Sequence, residues 1–167
     1  MVTSYNAVSA DGFIARMDGS EDFIPDDAWD DFLNLLSSYD AVVMGRKTYE
    51  TVQMYASAMV DAFEAIPMKR IVVSRDEDFV PKISYSMITS LFEIPTIGKD
   101  ILLTSGPGLN TAVLEAGIID RVKLMVISEK IGEGMAVFDG QPKLTLVSTE
   151  HMPSGRIISM YKIQKTL

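Results

Sequence analysis

Apolar positions along this chain gather into short runs of strand length, separated by polar stretches rich in Gly, Pro, Asp and Ser. The runs at Thr3–Val8, Ala41–Met44, Ile71–Val73, Ile83–Ile88, Ile101–Thr104, Val122–Ser128, Leu144–Thr149 and Ile157–Ile163 predict about eight strands. Between several of them the apolar spacing becomes helical. Pro25 followed by Asp26 and Asp27 reads as a helix start, with Trp29, Phe32, Leu33 and Leu36 as its apolar face. Shorter helices are expected at Thr48–Phe63, continuous or broken, at Ser90–Ile94 and at Pro107–Ala116. Strands alternating with helices predict an α/β fold with a mostly parallel sheet covered on both faces. The last two runs are separated only by Met152–Gly155, which predicts an antiparallel C-terminal hairpin.

Composition narrows this picture. A chain of 167 residues with 47% hydrophobic residues can bury a full core, and no linker, repeat or low-complexity tract divides it, so residues 1–167 are read as a single domain. The absence of cysteine removes disulfides, thiolate metal sites and thiol nucleophiles together. A lone histidine, His151, leaves no imidazole cluster, and no metal site is expected. The N-terminus has no secretory pattern, and no segment approaches the roughly 20 apolar residues that span a bilayer, so a cytoplasmic protein is expected. Net charge is −8 and uneven, because residues 1–41 hold Arg16 as their single cation against nine acids. That acidic quarter opposes nucleic acid and anionic membranes as partners and leaves a small molecule as the expected one.

The candidate chemistry lies where strands end. In Ile101–Asp120, an apolar run breaks at Ser105-Gly106-Pro107-Gly108 and a helix begins at once with Leu109, closing at Gly117. A glycine turn into a helix presents unpaired amides and a positive dipole end, which suits an anion such as a phosphate. Taken alone, the same turn is equally a plain connection. Ala41–Met44 likewise ends at Gly45, after which Arg46, Lys47 and Thr48 open a helix with two cations and a hydroxyl. A third run ends in Ser74-Arg75, again a hydroxyl beside a guanidinium, and Arg can grip phosphate with a fork of donors. Three such ends in one chain point to a dinucleotide, and an added 2′-phosphate would favour NADP over NAD.

Other residues carry less. Asp11-Gly12 between apolar stretches is a turn, either a loop that folds over a ligand or a plain surface loop. His151 reads as a surface residue beside the hairpin loop, and Trp29 as a core anchor.

In order, the segments SADGFIA, VMGRKTYET, VVSR and ILLTSGPGLNTAVLEAGIIDRVKLMVISEKIGEGMAVF resemble the dihydrofolate reductase superfamily. The last is similar to the C-terminal reductase domain of the bacterial bifunctional riboflavin-biosynthesis deaminase/reductase, here in stand-alone form. The resemblance implies a central eight-stranded, mostly parallel sheet, an NADP-dependent oxidoreductase, NADPH as cofactor and homodimers. It implies activity like that of 5-amino-6-(5-phosphoribosylamino)uracil reductase, with hydride delivered to a pyrimidine or pteridine, riboflavin- or folate-related. By the same resemblance Gly45, Arg46, Lys47, Thr48, Ser74, Arg75, Ser105, Gly106, Pro107, Gly108 and Leu109 hold the cofactor. Ala7 passes the nicotinamide. Asp11 and Thr104 are candidate substrate contacts, although Thr104 stands where the riboflavin-pathway enzymes carry a glutamate. Asp27 and Asp31, four apart on one helical face, are the candidate catalytic carboxylates. A non-catalytic dinucleotide-binding or homodimeric regulatory protein of the same fold is the alternative.

Overall fold

The unbroken apolar runs become strands covered on both faces, in a computed structural model that describes residues 1–164. The elements in chain order are β1 (Val2–Val8), β2 (Phe13–Ala15), α1 (Ala28–Leu36), β3 (Ala41–Gly45), α2 (Arg46–Gln53), α3 (Ser57–Glu64), β4 (Lys69–Val73), β5 (Ser86–Ile88), a 3-10 helix (Leu91–Thr96), β6 (Ile101–Leu103), α4 (Pro107–Glu115), β7 (Arg121–Val126), β8 (Met135–Ala136), β9 (Leu144–His151) and β10 (Ile157–Ile163).

The eight strands of the main sheet run in the order β5-β4-β3-β6-β1-β7-β10-β9. From β5 to β7 every neighbouring pair is parallel, while β10 pairs antiparallel with both β7 and β9. This is the expected architecture, including the C-terminal hairpin, whose loop turns on Gly155 at φ +86°. Alternate residues of each inner strand feed opposite cores. Val42, Met44, Val72 and Leu102 meet Phe32, Leu36 and Phe63 from α1 and α3 on one face. Ala41, Val43, Ile71, Val73, Ile101 and Leu103 meet Ile94 and Val113 on the other. Each fully buried Leu or Val in these layers contributes about 1.5–3 kcal/mol.

The helices depart from expectation in instructive ways. The stretch expected at Thr48–Phe63 is two helices, broken at Met54–Ala56, and the first already starts at Arg46. Buried Arg70 closes α3, its guanidinium donating to the carbonyls of Phe63 (3.0 Å), Glu64 (2.7 Å) and Ile66. The run at Ile83–Ile88 shortens to Ser86–Ile88, because Ile83 is fully solvent-exposed and Tyr85 N–H is drawn into a turn with Lys82. The segment after Ser90 is a 3-10 helix containing Pro95, entered through a capping box of Ser90 and Glu93. β2 and β8 form a separate two-stranded antiparallel sheet that the apolar pattern does not announce, since strands of three and two residues are too short for alternation to show. Among the described residues no helix is long and apolar enough to cross a membrane.

Candidate active site

Parallel strands deliver their C-terminal ends to one rim, and three of those ends open into a single cleft of about 1680 Å³. The rim is built around an unusually close approach. β3 ends at Gly45, whose N–H donates to the Ser105 hydroxyl at 3.1 Å, just beyond β6. A Cβ on Gly45 would stand 2.9 Å from that Oγ, so only glycine lets the two turns meet without displacement. α2 and α4 then begin side by side, each with an extended N-cap glycine, Gly45 or Gly106, and among the described residues no N-cap side chain bonds the first amides of either. Both helix starts therefore keep donors free for an anion.

A buried amide pair sets the second turn. The Asn110 side-chain amide lies within 3.0 Å of three acceptors, the Asn6 Oδ1 and the carbonyls of Ser105 and Val137. Asn6 in turn donates to the Ser105 carbonyl at 2.9 Å. Asn110 is fully buried on α4, so β1, the glycine turn and the Val137 loop are tied through one side chain. Neither asparagine is among the residues that the strand-end pattern singles out. The signal was available: Asn110 lies three residues before Val113, on the inward stripe of its helix, where a polar residue needs partners.

Every residue expected to hold the cofactor, from Ala7 through Gly45–Thr48 and Ser74-Arg75 to Ser105–Leu109, lines this one cleft, and so does Thr104. Their side chains are engaged differently. Arg46 donates to Glu50 at 2.8 Å and to Asp76 at 2.6 Å, and its guanidinium lies 4.6 Å from the Phe79 ring centre. Those two carboxylates push its pKa up and keep it charged. Arg75 is exposed and, among the described residues, has no ion-pair partner. The Ser74 hydroxyl accepts from Asp76 N–H at 3.1 Å, which fixes the bend after β4.

The expected carboxylates lie elsewhere. Asp27 and Asp31 do not line the cleft. Arg156, from the β9–β10 hairpin, donates to Asp31 at 2.9 Å and also to Asp27, while Ser154 donates to Asp31 at 2.6 Å. Asp31 is buried in this pairing, behind Tyr5, so its carboxylate serves the packing of the hairpin on α1. Asp11 also stands outside the cleft. It accepts from the Ser9 hydroxyl (2.6 Å), Gly132 N–H (2.8 Å) and Ile131 N–H (3.2 Å) and so pins its own turn to the loop before β8. The carboxylates that do line the cleft are Glu21, Asp26, Asp76 and Asp139. Trp29 combines two roles, lining the cleft while packing on Phe32 and Phe63. His151 is exposed on β9. Among the described residues no cluster of His, Asp or Glu is placed to hold a metal ion.

The same arrangement of strands recurs in solved structures. A riboflavin biosynthesis protein, so described provisionally, from Shewanella sp. PV-4 superposes with a TM-score of 0.73 at 18% identity, over 98% of this chain and 99% of its own. A Thermotoga maritima diaminohydroxyphosphoribosylaminopyrimidine deaminase/5-amino-6-(5-phosphoribosylamino)uracil reductase gives 0.70 at 16% identity, over 98% of this chain and 56% of its own. A pyrimidine reductase-like protein of Corynebacterium diphtheriae gives 0.67 at 15%, over 99% and 92%. In sequence the chain is 28% identical over 175 residues to the uncharacterized protein YyaP of Bacillus subtilis, covering 93% of this chain and 90% of that one. Residues 1–97 match the family model described as the RibD C-terminal domain. With the strand order and the rim of glycine turns in place, that match over more than half its length means that the chain belongs to the RibD C-terminal domain family, a membership that points to a reductase.

Proposed function

We propose that this protein is an NADPH-dependent reductase that delivers a hydride to a small heterocycle of pyrimidine or pteridine type. The observation that carries this reading is the convergence of three strand ends, Gly45–Thr48, Ser74-Arg75 and Ser105–Leu109, on one cleft. The residues fit a dinucleotide. Gly106 and Gly108 have open space where a Cβ would project, so a phosphate can approach their backbone. The first amides of α2 and α4 are uncapped, and Arg46, Lys47 and Arg75 supply cations along the same wall.

In this reading the amides around Gly106 and Gly108 hold the pyrophosphate, and Arg75 with Ser74 takes the 2′-phosphate. Arg46, already oriented by Glu50 and Asp76, presents its charge at the start of α2. Asn6 and Asn110 keep the glycine turn in the shape that binds. A reduced nicotinamide held by these residues would supply the hydride. Ile14, Ala15 and Met135 line the cleft with apolar surface and limit water around the reacting atoms. Thr104 offers a neutral hydroxyl that can donate to or accept from a polar group of the substrate. We place the protein in the cytoplasm as a homodimer. The outer edge of β9, with Leu146 and Val147 exposed, supports self-association.

Thermal unfolding with and without NADPH tests the reading. A ligand at a hundred times its Kd adds about 2.7 kcal/mol, which for a chain of this size raises Tm by roughly 5–10 °C. NADH should shift it less. An unchanged Tm with millimolar NADPH overturns the proposal.

A further inference from the structure

The cleft extends past the far end of α2 to a second polar group. α2 spans eight residues, roughly 12 Å, and Tyr55 follows it. The Tyr55 hydroxyl donates to the Glu21 carboxylate at 2.7 Å, and both residues line the cleft. Trp29 stands edge-on to Tyr55 with ring centres 5.4 Å apart. Its indole N–H is anchored on the Met59 carbonyl at 3.1 Å, which leaves the ring as a fixed apolar wall beside the acid.

We propose that Glu21 is the proton donor of this cleft and Tyr55 its positioning residue, acting on a flat nitrogen heterocycle held against Trp29. The inference rests on the reductase reading above. Reduction of a ring C=N bond then balances: the carbon takes hydride from the reduced nicotinamide, the nitrogen takes the proton from the Glu21 carboxyl, and the resulting carboxylate is reprotonated by water at the exposed rim.

The other acids are less suited to this step. Asp76 is paired with Arg46, and Asp27 and Asp31 with Arg156. Asp26 and Asp139 line the cleft, and among the described residues their carboxylates have no hydrogen-bonded partner to aim them. Among the described residues no cation pairs with Glu21. Arg16, on the same loop, is paired with Asp22 and Glu129, so among the described residues the titratable group in contact with Glu21 is the neutral phenol of Tyr55. Glu21 is exposed to solvent at the rim, and the crowding of the surrounding cleft wall still moves its pKa upward, against a smaller lowering by the Tyr55 bond. Burial, followed by the Glu21 charge, raises that of Tyr55, which remains a donor throughout the neutral range.

The chain has one tryptophan, so Trp29 fluorescence reports on this end of the cleft. The probe is 2-amino-4-hydroxypyrimidine, titrated without cofactor into the native protein and into Glu21→Gln, Tyr55→Phe and Asp26→Asn, with the Glu21 carboxyl followed by carbon NMR across pH. Expected are saturable quenching in the native protein, at least tenfold weaker binding in Glu21→Gln, and near-native binding in Asp26→Asn. The Glu21 carboxyl should titrate above its ordinary range and move higher still in Tyr55→Phe, where the bond that lowers it is gone. The proposal is overturned if the probe does not bind, if Glu21→Gln binds it as the native protein does, if Asp26→Asn is the variant that loses it, or if the carboxyl titrates normally. The readouts need no cofactor, so NADPH-dependent stabilisation in the same native protein separates failure of this inference from failure of the reductase reading.

Discussion

Gly45 and Ser105 lie 60 residues apart in the chain, yet the N–H of one donates to the hydroxyl of the other at 3.1 Å, joining the ends of β3 and β6. A methyl group at position 45 would meet that hydroxyl at 2.9 Å. Gly45→Ala should therefore destabilise the protein by about 1–2 kcal/mol, as overpacking of a tight contact does. Adding Ser105→Ala removes the colliding oxygen, so the double variant should be more stable than the sum of the single losses. Urea midpoints of the variants check this.

Asn110 tests whether the turn is held by buried polar bonds. Asn110→Ala leaves the Val137 carbonyl and the Asn6 oxygen short of a donor in a buried site, and the Ser105 carbonyl with Asn6 alone, at a cost of about 2–3 kcal/mol. NADPH-dependent thermal stabilisation should fall with it, because the glycine turn loses its tether. Full retention of that stabilisation would separate the turn from ligand binding.

Asp31 is expected to matter for stability and not for the cofactor. Asp31→Asn leaves Arg156, a partly buried guanidinium, with the exposed Asp27 as its one remaining carboxylate among the described residues. Breaking a buried pair from one side costs about 3 kcal/mol, read as a lower denaturation midpoint. The rise in Tm produced by NADPH should match that of the native protein.

Asp11 makes an acid-sensitive tie. The Ser9 hydroxyl bond first, then the Gly132 and Ile131 amides, hold its carboxyl at about 2, below the ordinary 3.8. A depressed folded pKa stabilises above the unfolded value, so the tie is complete above pH 3.8 and is lost as pH falls through about 2. Amide exchange at Gly132 should lose protection over that window in the native protein, and Asp11→Ala should lack the protection at every pH.

The outer edge of β9 has no neighbouring strand among the described residues and exposes Leu146 and Val147. Sedimentation should show twice the 18.4 kDa of one chain, and Leu146→Lys should shift the protein toward single chains. A native protein that sediments as one chain at high concentration removes the homodimer.

The sequence by itself determined the layers and the rim. Runs such as Ala41–Met44 and Ile101–Leu103 are apolar throughout because both sheet faces are covered, and that pattern is legible wherever a strand is long enough. Gly45 and the Gly106 turn were legible for a similar reason, since glycine and proline act on the backbone locally. The short strands β2 and β8 were not, and neither were the partners of the polar groups. Asp31 meets Arg156 across 125 positions, Asn6 meets Asn110 across 104, and Glu21 meets Tyr55 across 34. Which carboxylate faces the cleft depends on how non-local elements dock, and no periodicity in the chain encodes that. Only the packed tertiary structure turned Asp27 and Asp31 toward the hairpin and left Glu21 in the cleft.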